Sequence, residues 1–344
     1  MKKYPFVTSL VALMAASSLS AQEPEKKEYP SPNAIVDAAP ASDWQAIAAS
    51  DLLVMDLAPD AKGEARRVII QLMPPPFSQG WIGNIRKLAA AKFWDGTSIN
   101  RVQDNYVVQW GDAGYDNPES GETEQKALPE GLVEVPESEY SKTVRYITIN
   151  GKTGSREPLI RTFSNQDAYT PETGYFSGWR IAMNNQVVGK EANRIKFNQT
   201  DMDTAWPVHC YGAVGVGRNL SPNTGTGAEL YTVIGHAPRH LDRNIAVVGR
   251  IVEGIEHLSS LPRGKGQLGF YTDPKKRVPI RSIRLGTALP DAEQPRFEYL
   301  DTASKAFAQY ADARANRRDP FFIKPAGGAD ICNIPVPVRR VKAD

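Results

Sequence analysis

The chain is short of most groups that enzymes rely on. It has two cysteines and four histidines in 344 residues. Of His209, His236, His240 and His257, only His236 and His240 have an i, i+4 spacing, and Pro238 between them argues against a helix, so no metal site is expected. There is no G-x-S-x-G elbow to present a serine nucleophile. The run Asn223 to Gly227 is rich in glycine but lacks the Gly-Lys-Ser/Thr ending of a phosphate loop, and strand patterns flank it on both sides. A paired-carboxylate glycosidase stays open, although nothing points to a pair. Charge of one sign is missing too. Lys plus Arg is 41, Asp plus Glu is 39, and a net charge of +2 gives no reason to expect nucleic acid or an acidic membrane surface as partner. No segment beyond the N-terminus approaches a membrane-spanning length, and no cofactor is expected.

What is present points to β structure. Pro 26 and Gly 27 make a turn-rich chain, favouring strands and long loops over a helix bundle. Residues 1–21 read as a secretory signal: Lys2 and Lys3, the apolar run Val7 to Ala16, then Ser17, Ser18, Ser20 and Ala21 before the cleavage point. An uncleaved anchor is the alternative, though the apolar run is short for a bilayer. The mature protein is expected to be exported, periplasmic if the source is Gram-negative, without stable membrane insertion. An oxidising compartment permits a Cys210–Cys332 disulfide; two separate buried thiols are the other reading. The bond would close a loop of more than a hundred residues, for which loop entropy gives roughly 4–5 kcal/mol.

Residues 22–42, rich in Pro, Glu, Lys and Ala, read as a flexible linker. Strands are expected at Leu52 to Leu57, Arg67 to Met73, Cys210 to Val216, Glu229 to Ile234 and Ala246 to Gly254, with Val278 to Leu285 as an edge strand. An amphipathic helix is expected from about Ser78 to Trp94, a short one from Ile255 to Leu261, and another from Tyr299 to Arg317. The polar stretch Ala113 to Pro207 reads as a long loop insertion, with a hairpin signal at Val144 to Gly151 and an apolar piece at Trp179 to Met183. About eight strands and three helices imply a mainly β fold, a closed or nearly closed antiparallel barrel capped by helices. The expected organisation is a barrel domain over 43–286 that contains the 113–207 insertion, followed by a C-terminal extension, 287–344, with one helix.

Thr97 to Asp112 draws the eye to chemistry. Its pattern is strand, Asp104-Asn105 turn, strand, with Arg101 and Gln109 as polar exceptions among Ile99, Val102, Tyr106, Val107, Val108 and Trp110. On pattern alone a solvated outer face accounts for both. Yet one reaction needs no nucleophile, base or metal: rotation about a prolyl amide. Its barrier comes from amide resonance, about 18–20 kcal/mol for peptide bonds generally, and a donor hydrogen-bonded to the prolyl nitrogen lowers it. An arginine in an apolar groove is suited to that. Since no side chain acts as acid or base, the rate should be nearly flat between about pH 6 and 8.

Several motifs, in order, resemble the cyclophilin-type peptidyl-prolyl cis-trans isomerases. Phe93-Trp94-Asp95-Gly96-Thr97 is similar to the family's aromatic-aromatic-Asp-Gly-Thr turn. Asn100-Arg101-Val102 with Val107-Val108-Gln109-Trp110-Gly111-Asp112 resembles its catalytic Arg and Gln-Gly-Gly-Asp strand end. Pro222-Asn223-Thr224 through Tyr231, His240-Leu241-Asp242 and Val248 to Gly254 continue the match, which runs from Leu52 to Leu285 around the insertion. The resemblance implies an eight-stranded cyclophilin-like barrel and a prolyl isomerase assisting the folding of exported proteins. Arg101 would be the catalytic donor, Tyr106 the floor of the proline pocket, Val107 a wall where Met is usual, and Gln109 a ligand for the substrate backbone. Tyr231 would be the second pocket aromatic, usually Phe; His240 would sit on the rim beside the apolar wall Leu241. Glu229 falls where the family has Gln, Ile245 where many members have His, and Arg218 or Asn219 near a substrate-binding Asn. The implied partners are proline-containing unfolded or partly folded polypeptides, met by a monomer. A non-catalytic chaperone or proline-segment binding module is the alternative.

Overall fold

A computed structural model describes residues 29–115, 117–143, 161–163, 167–184 and 204–341. Eight strands close a barrel: β1 (Leu52–Leu57), β2 (Arg66–Leu72), β3 (Ser98–Val102), β4 (Val107–Gly111), β5 (Ala213–Val216), β6 (Leu230–Val233), β7 (Val247–Glu253) and β8 (Val278–Leu285). Their order is β5-β6-β4-β3-β8-β1-β2-β7, with β7 returning to β5, every pairing antiparallel. Closure leaves β8 without an edge: it pairs with β1 on one side and β3 on the other, so its alternation reflects one inward and one outward face.

Strand β1 shows why its sequence, LLVMDL, is almost continuously apolar. Leu53, Met55 and Leu57 point into the main core, while Leu52 and Val54 join Ile69, Ile47 and Phe297 outside the barrel. Successive side chains alternate faces, and here both faces are covered. Helix α2 packs its apolar face into the main core and spans Gln79–Ala90, shorter than the sequence pattern at both ends. Trp81, Ile82, Ile85 and Leu88 form its buried stripe. Its indole at Trp81 donates to the Gly225 carbonyl at 3.0 Å, and Trp94 just beyond donates to Ala228 O at 2.8 Å. Both bonds fix the loop that leads into β6.

The flanking segments depart most from expectation. Within the stretch 22–42, expected as a flexible linker, Pro32–Asp37 forms helix α1. Ser31 caps it through Ala34 N, and proline occupies its first turn, a start signal hidden in a Pro- and Ala-rich stretch. Part of the 113–207 insertion is a five-stranded sheet, in the order Lys142–Thr143, Thr204–Pro207, Trp179–Asn184, Glu172–Phe176 and Arg161–Phe163. The hairpin signal at 144–151, like residues 1–21 with their signal-like pattern, lies outside the described residues. The C-terminal helix (Lys305–Ala315) begins later than the apolar periodicity suggests, because Phe297–Leu300 is a strand between Trp44–Ile47 and Val338–Arg340. The extension is therefore a small sheet plus a helix, and it takes Trp44–Ile47 away from the barrel.

These pieces share a second core. Trp44 from the N-terminal side, Tyr175, Ala182 and Trp206 from the insertion, and Leu300, Phe307 and Ile331 from the extension pack together. The Tyr175 and Phe307 rings meet edge to face at 4.8 Å. Cys210 and Cys332 form a disulfide across this core, with a Cα–Cα distance of 5.1 Å. The two-thiol alternative does not hold. Among the described residues no helix is long and apolar enough to cross a membrane.

Phe307 has no exposed surface, so Phe307→Ala is expected to destabilise the chain by about 3–5 kcal/mol, read from urea unfolding. A change under about 1 kcal/mol would show that the second core adds little stability.

Candidate active site

Strands β3 and β4 form a hairpin whose turn residue Asn105 has φ 49°, a left-handed position that asparagine tolerates. A register shift between Ile99 and Arg101 sets Arg101 opposite Gln109. The guanidinium is held on several sides. Nε donates to Leu268 O at 2.7 Å, Nη1 donates to Gln109 Oε1 at 3.0 Å, and Nη2 donates to Gln103 Oε1. The Tyr106 and Phe270 rings lie 5.9 and 5.6 Å from its central carbon. Burial lowers its pKa from the usual arginine value, opposed by the nearby Tyr106 and Glu119, and an arginine stays charged here.

Arg101 lies on the wall of a cavity of about 460 Å³ that also takes in Tyr106, Val107, Gln109, Tyr231 and Leu241. The structure therefore brings six of the proposed site residues to one cavity. His240 stands outside it, exposed, with its ring parallel to Tyr106 at 6.3 Å. Glu229 is also off the cavity surface. It is buried behind Gln109, whose Nε2 donates to Glu229 Oε2 at 3.1 Å and to Asn117 Oδ1 at 2.8 Å. Both amide hydrogens of Gln109 are thus engaged within the protein, rather than free for a substrate backbone. Gly111 makes room for Glu229: it sits at φ 138°, and a Cβ there would run into the Glu229 carboxyl.

Burial pushes the Glu229 carboxyl well above the usual carboxylate range. Asp112 adds to this, and the Gln109 hydrogen bond opposes it. Oε1 has no hydrogen-bond partner among the described residues; the Asn100 amide approaches the same carboxyl but closes no well-formed bond.

Several contributors were not legible in the sequence. Leu268 and Phe270 come from the loop after the short helix α3 (Glu256–Ser259), and Asn117 to Glu119 from the start of the insertion. Leu268 adopts φ 52°, between Gly266 and Gly269; that glycine spacing was the available signal. His209 is the other omission. It is fully buried, with Nε2 2.8 Å from the Tyr231 hydroxyl and Nδ1 2.9 Å from Asp242 Oδ1.

Glu229→Gln tests the buried acid. Below the ordinary carboxyl range, folded and unfolded chains both hold the proton. As pH rises, the unfolded chain releases it first, so the wild type loses stability until the raised folded-state pKa is passed. Gln does not titrate. The stability advantage of Glu229→Gln should therefore grow by about 1–3 kcal/mol between about pH 4 and pH 8, measured by thermal melts at both ends. A gap that does not change with pH would show Glu229 to be an ordinary ionised carboxylate.

The family model for cyclophilin type peptidyl-prolyl cis-trans isomerase/CLD matches residues 81–285. No curated protein matches the chain. Among solved structures, cyclophilin AquaCyp293 from Hirschia baltica superposes with a TM-score of 0.60 at 19% identity, over 88% of this chain and 94% of that one, which shows a shared fold. A Cryptosporidium parvum cyclophilin type peptidyl-prolyl cis-trans isomerase, solved in the presence of the dipeptide Ala-Pro, gives a TM-score of 0.33 at 11% identity, over 67% of this chain and 98% of that one. The second superposition is too loose to carry weight. The family match spans most of the chain and the barrel is closed as that family's is; the chain belongs to the cyclophilin-type peptidyl-prolyl cis-trans isomerases.

Proposed function

We propose that Arg101 carries the isomerisation, by donating to the prolyl amide of an X-Pro segment bound in the cavity. The observation behind this is the restrained guanidinium on an apolar wall. Arginine has five N–H donors. Leu268 O, Gln109 and Gln103 take one each, which leaves two for a bound amide. Because three anchors already fix the head, little reorganisation is needed when the amide twists and its nitrogen gains electron density. The prolyl ring is received by Tyr231, Leu241, Val107 and Tyr106.

The substrates are proline-containing polypeptides that are unfolded or partly folded. The signal-like residues 1–21 support a role in folding exported proteins. N-terminal sequencing of the exported protein should then start at Gln22; recovery of Met1 in the mature fraction would count against export with cleavage.

Arg101→Ala is expected to lower kcat/KM on a short X-Pro peptide about 100-fold, equivalent to about 2.7 kcal/mol of transition-state stabilisation. Equal rates would favour the alternative, a module that binds proline segments without turning them over. Deleting 113–207 is a poorer test, because it removes Tyr175 and Trp206 from the second core. Isomerisation moves no net proton, so in the Glu229→Gln background the rate should be constant between about pH 6 and 8. A bell-shaped profile in that background would require an acid and a base and would sink the mechanism.

A further inference from the structure

Tyr231 has two sides. Its ring lines the cavity, but its hydroxyl is turned away, into a slot beside Gly215. A Cβ at Gly215 would collide with that hydroxyl, so the absence of a side chain there is what admits it. The slot ends at His209, 2.8 Å from the phenol oxygen. His209 is in turn held twice by Asp242 Oδ1, through its ring Nδ1 at 2.9 Å and its backbone N–H at 2.9 Å. An acceptor at Nδ1 places the ring proton there and leaves Nε2 to accept. Burial keeps the Tyr231 phenol well above its usual pKa, so the hydroxyl retains its proton and donates to Nε2.

The far end of this chain is anchored as well. Asp242 Oδ2 accepts from Arg239 Nε at 2.6 Å, and Arg239 Nη1 donates to Asp167 of the insertion at 2.8 Å. Arg239 is itself only 2% exposed. His209 follows Thr204–Pro207, a strand of the insertion's sheet, and precedes the disulfide-bonded Cys210. The position that the family resemblance gives to an unanchored Phe is therefore, in this chain, a tyrosine tied by its hydroxyl to a buried polar line.

We propose that His209 and Asp242 are positioning residues for the isomerase reaction: acting through the Tyr231 hydroxyl, they lock the second aromatic ring of the prolyl pocket. The proposal rests on the cavity's being the prolyl pocket. A locked ring presents a preformed surface to the proline, so it improves binding of ground state and transition state alike. The relay therefore acts on KM, whereas Arg101 acts on kcat.

Steady-state kinetics on a short X-Pro peptide separate the two. His209→Leu is expected to raise KM about tenfold while kcat stays within about twofold. His209→Gln, which keeps an acceptor for the hydroxyl, should recover most of that loss. Tyr231→Phe should make the site indifferent to His209, so that adding His209→Leu changes KM no further. Unchanged KM in His209→Leu, or additive effects in the double variant, would overturn the relay. A measurement without substitution guards against misfolded variants: 15N NMR of the wild type should show His209 protonated at Nδ1 and bare at Nε2, and the reverse tautomer would overturn it. Arg101→Ala, run alongside, lowers kcat if the proposed function holds. Loss of that effect with the His209 signature intact would remove the Arg101 mechanism and leave the relay standing.

Discussion

The Gln109 side-chain amide holds together the polar half of this site. Its carbonyl accepts from Arg101, and its amine donates to Asn117 and Glu229. An amide cannot be flipped without turning the Arg101 bond into a clash of donors. Its orientation therefore dictates the roles of its neighbours: Arg101 must donate, and Glu229 and Asn117 must accept. Glu229 accepts with one oxygen, the other has no partner among the described residues, and burial keeps its carboxyl protonated beyond the usual range. Gly111 and the bulge in β3 are the backbone conditions for this arrangement, the first by leaving space and the second by register.

Around this centre the described residues form three apolar cores that share walls. The barrel is filled from inside by one side of each strand, while parts of its outer surface are roofed by the N-terminal strand, the insertion's sheet and the C-terminal sheet. Arg250 illustrates the join. It is buried on β7, hydrogen-bonds Gln71 at 2.9 Å and the Gly178 carbonyl at 2.7 Å, and lies over the Trp179 ring at 4.5 Å. Burial lowers its pKa to about 9. A cation between barrel and insertion is tolerable because hydrogen bonds and an aromatic face replace its water.

What could be read in the sequence followed local physics. Strands β1 and β8 keep their expected bounds residue for residue, because an apolar run and an alternating one, each bounded by turns, leave little choice. Arg101 and Gln109 stood out as polar residues in an apolar hairpin. What could not be read depended on contacts distant in sequence. Leu268 reaches Arg101 from 167 residues away, through a backbone carbonyl that carries no side-chain signature. His209 looked like one histidine among four, and only folding places it between Tyr231 and Asp242. Helix α1 was hidden because a capped start and a proline-rich linker share their composition. The insertion seemed a loop since its strands pair with one another and pack on a core whose other half lies at both chain ends.

The disulfide bears on the order in which the molecule can be completed during synthesis. Cys210 lies next to His209, but its partner Cys332 is made 122 residues later. Likewise Trp44–Ile47 waits for Phe297–Leu300, which in turn pairs with Val338–Arg340. A chain made from its N-terminus therefore holds an unclosed wall until Phe297–Leu300 and Cys332 have followed. The eight barrel strands, complete at Leu285, are thus all made before the C-terminal segments that cover part of their outer surface.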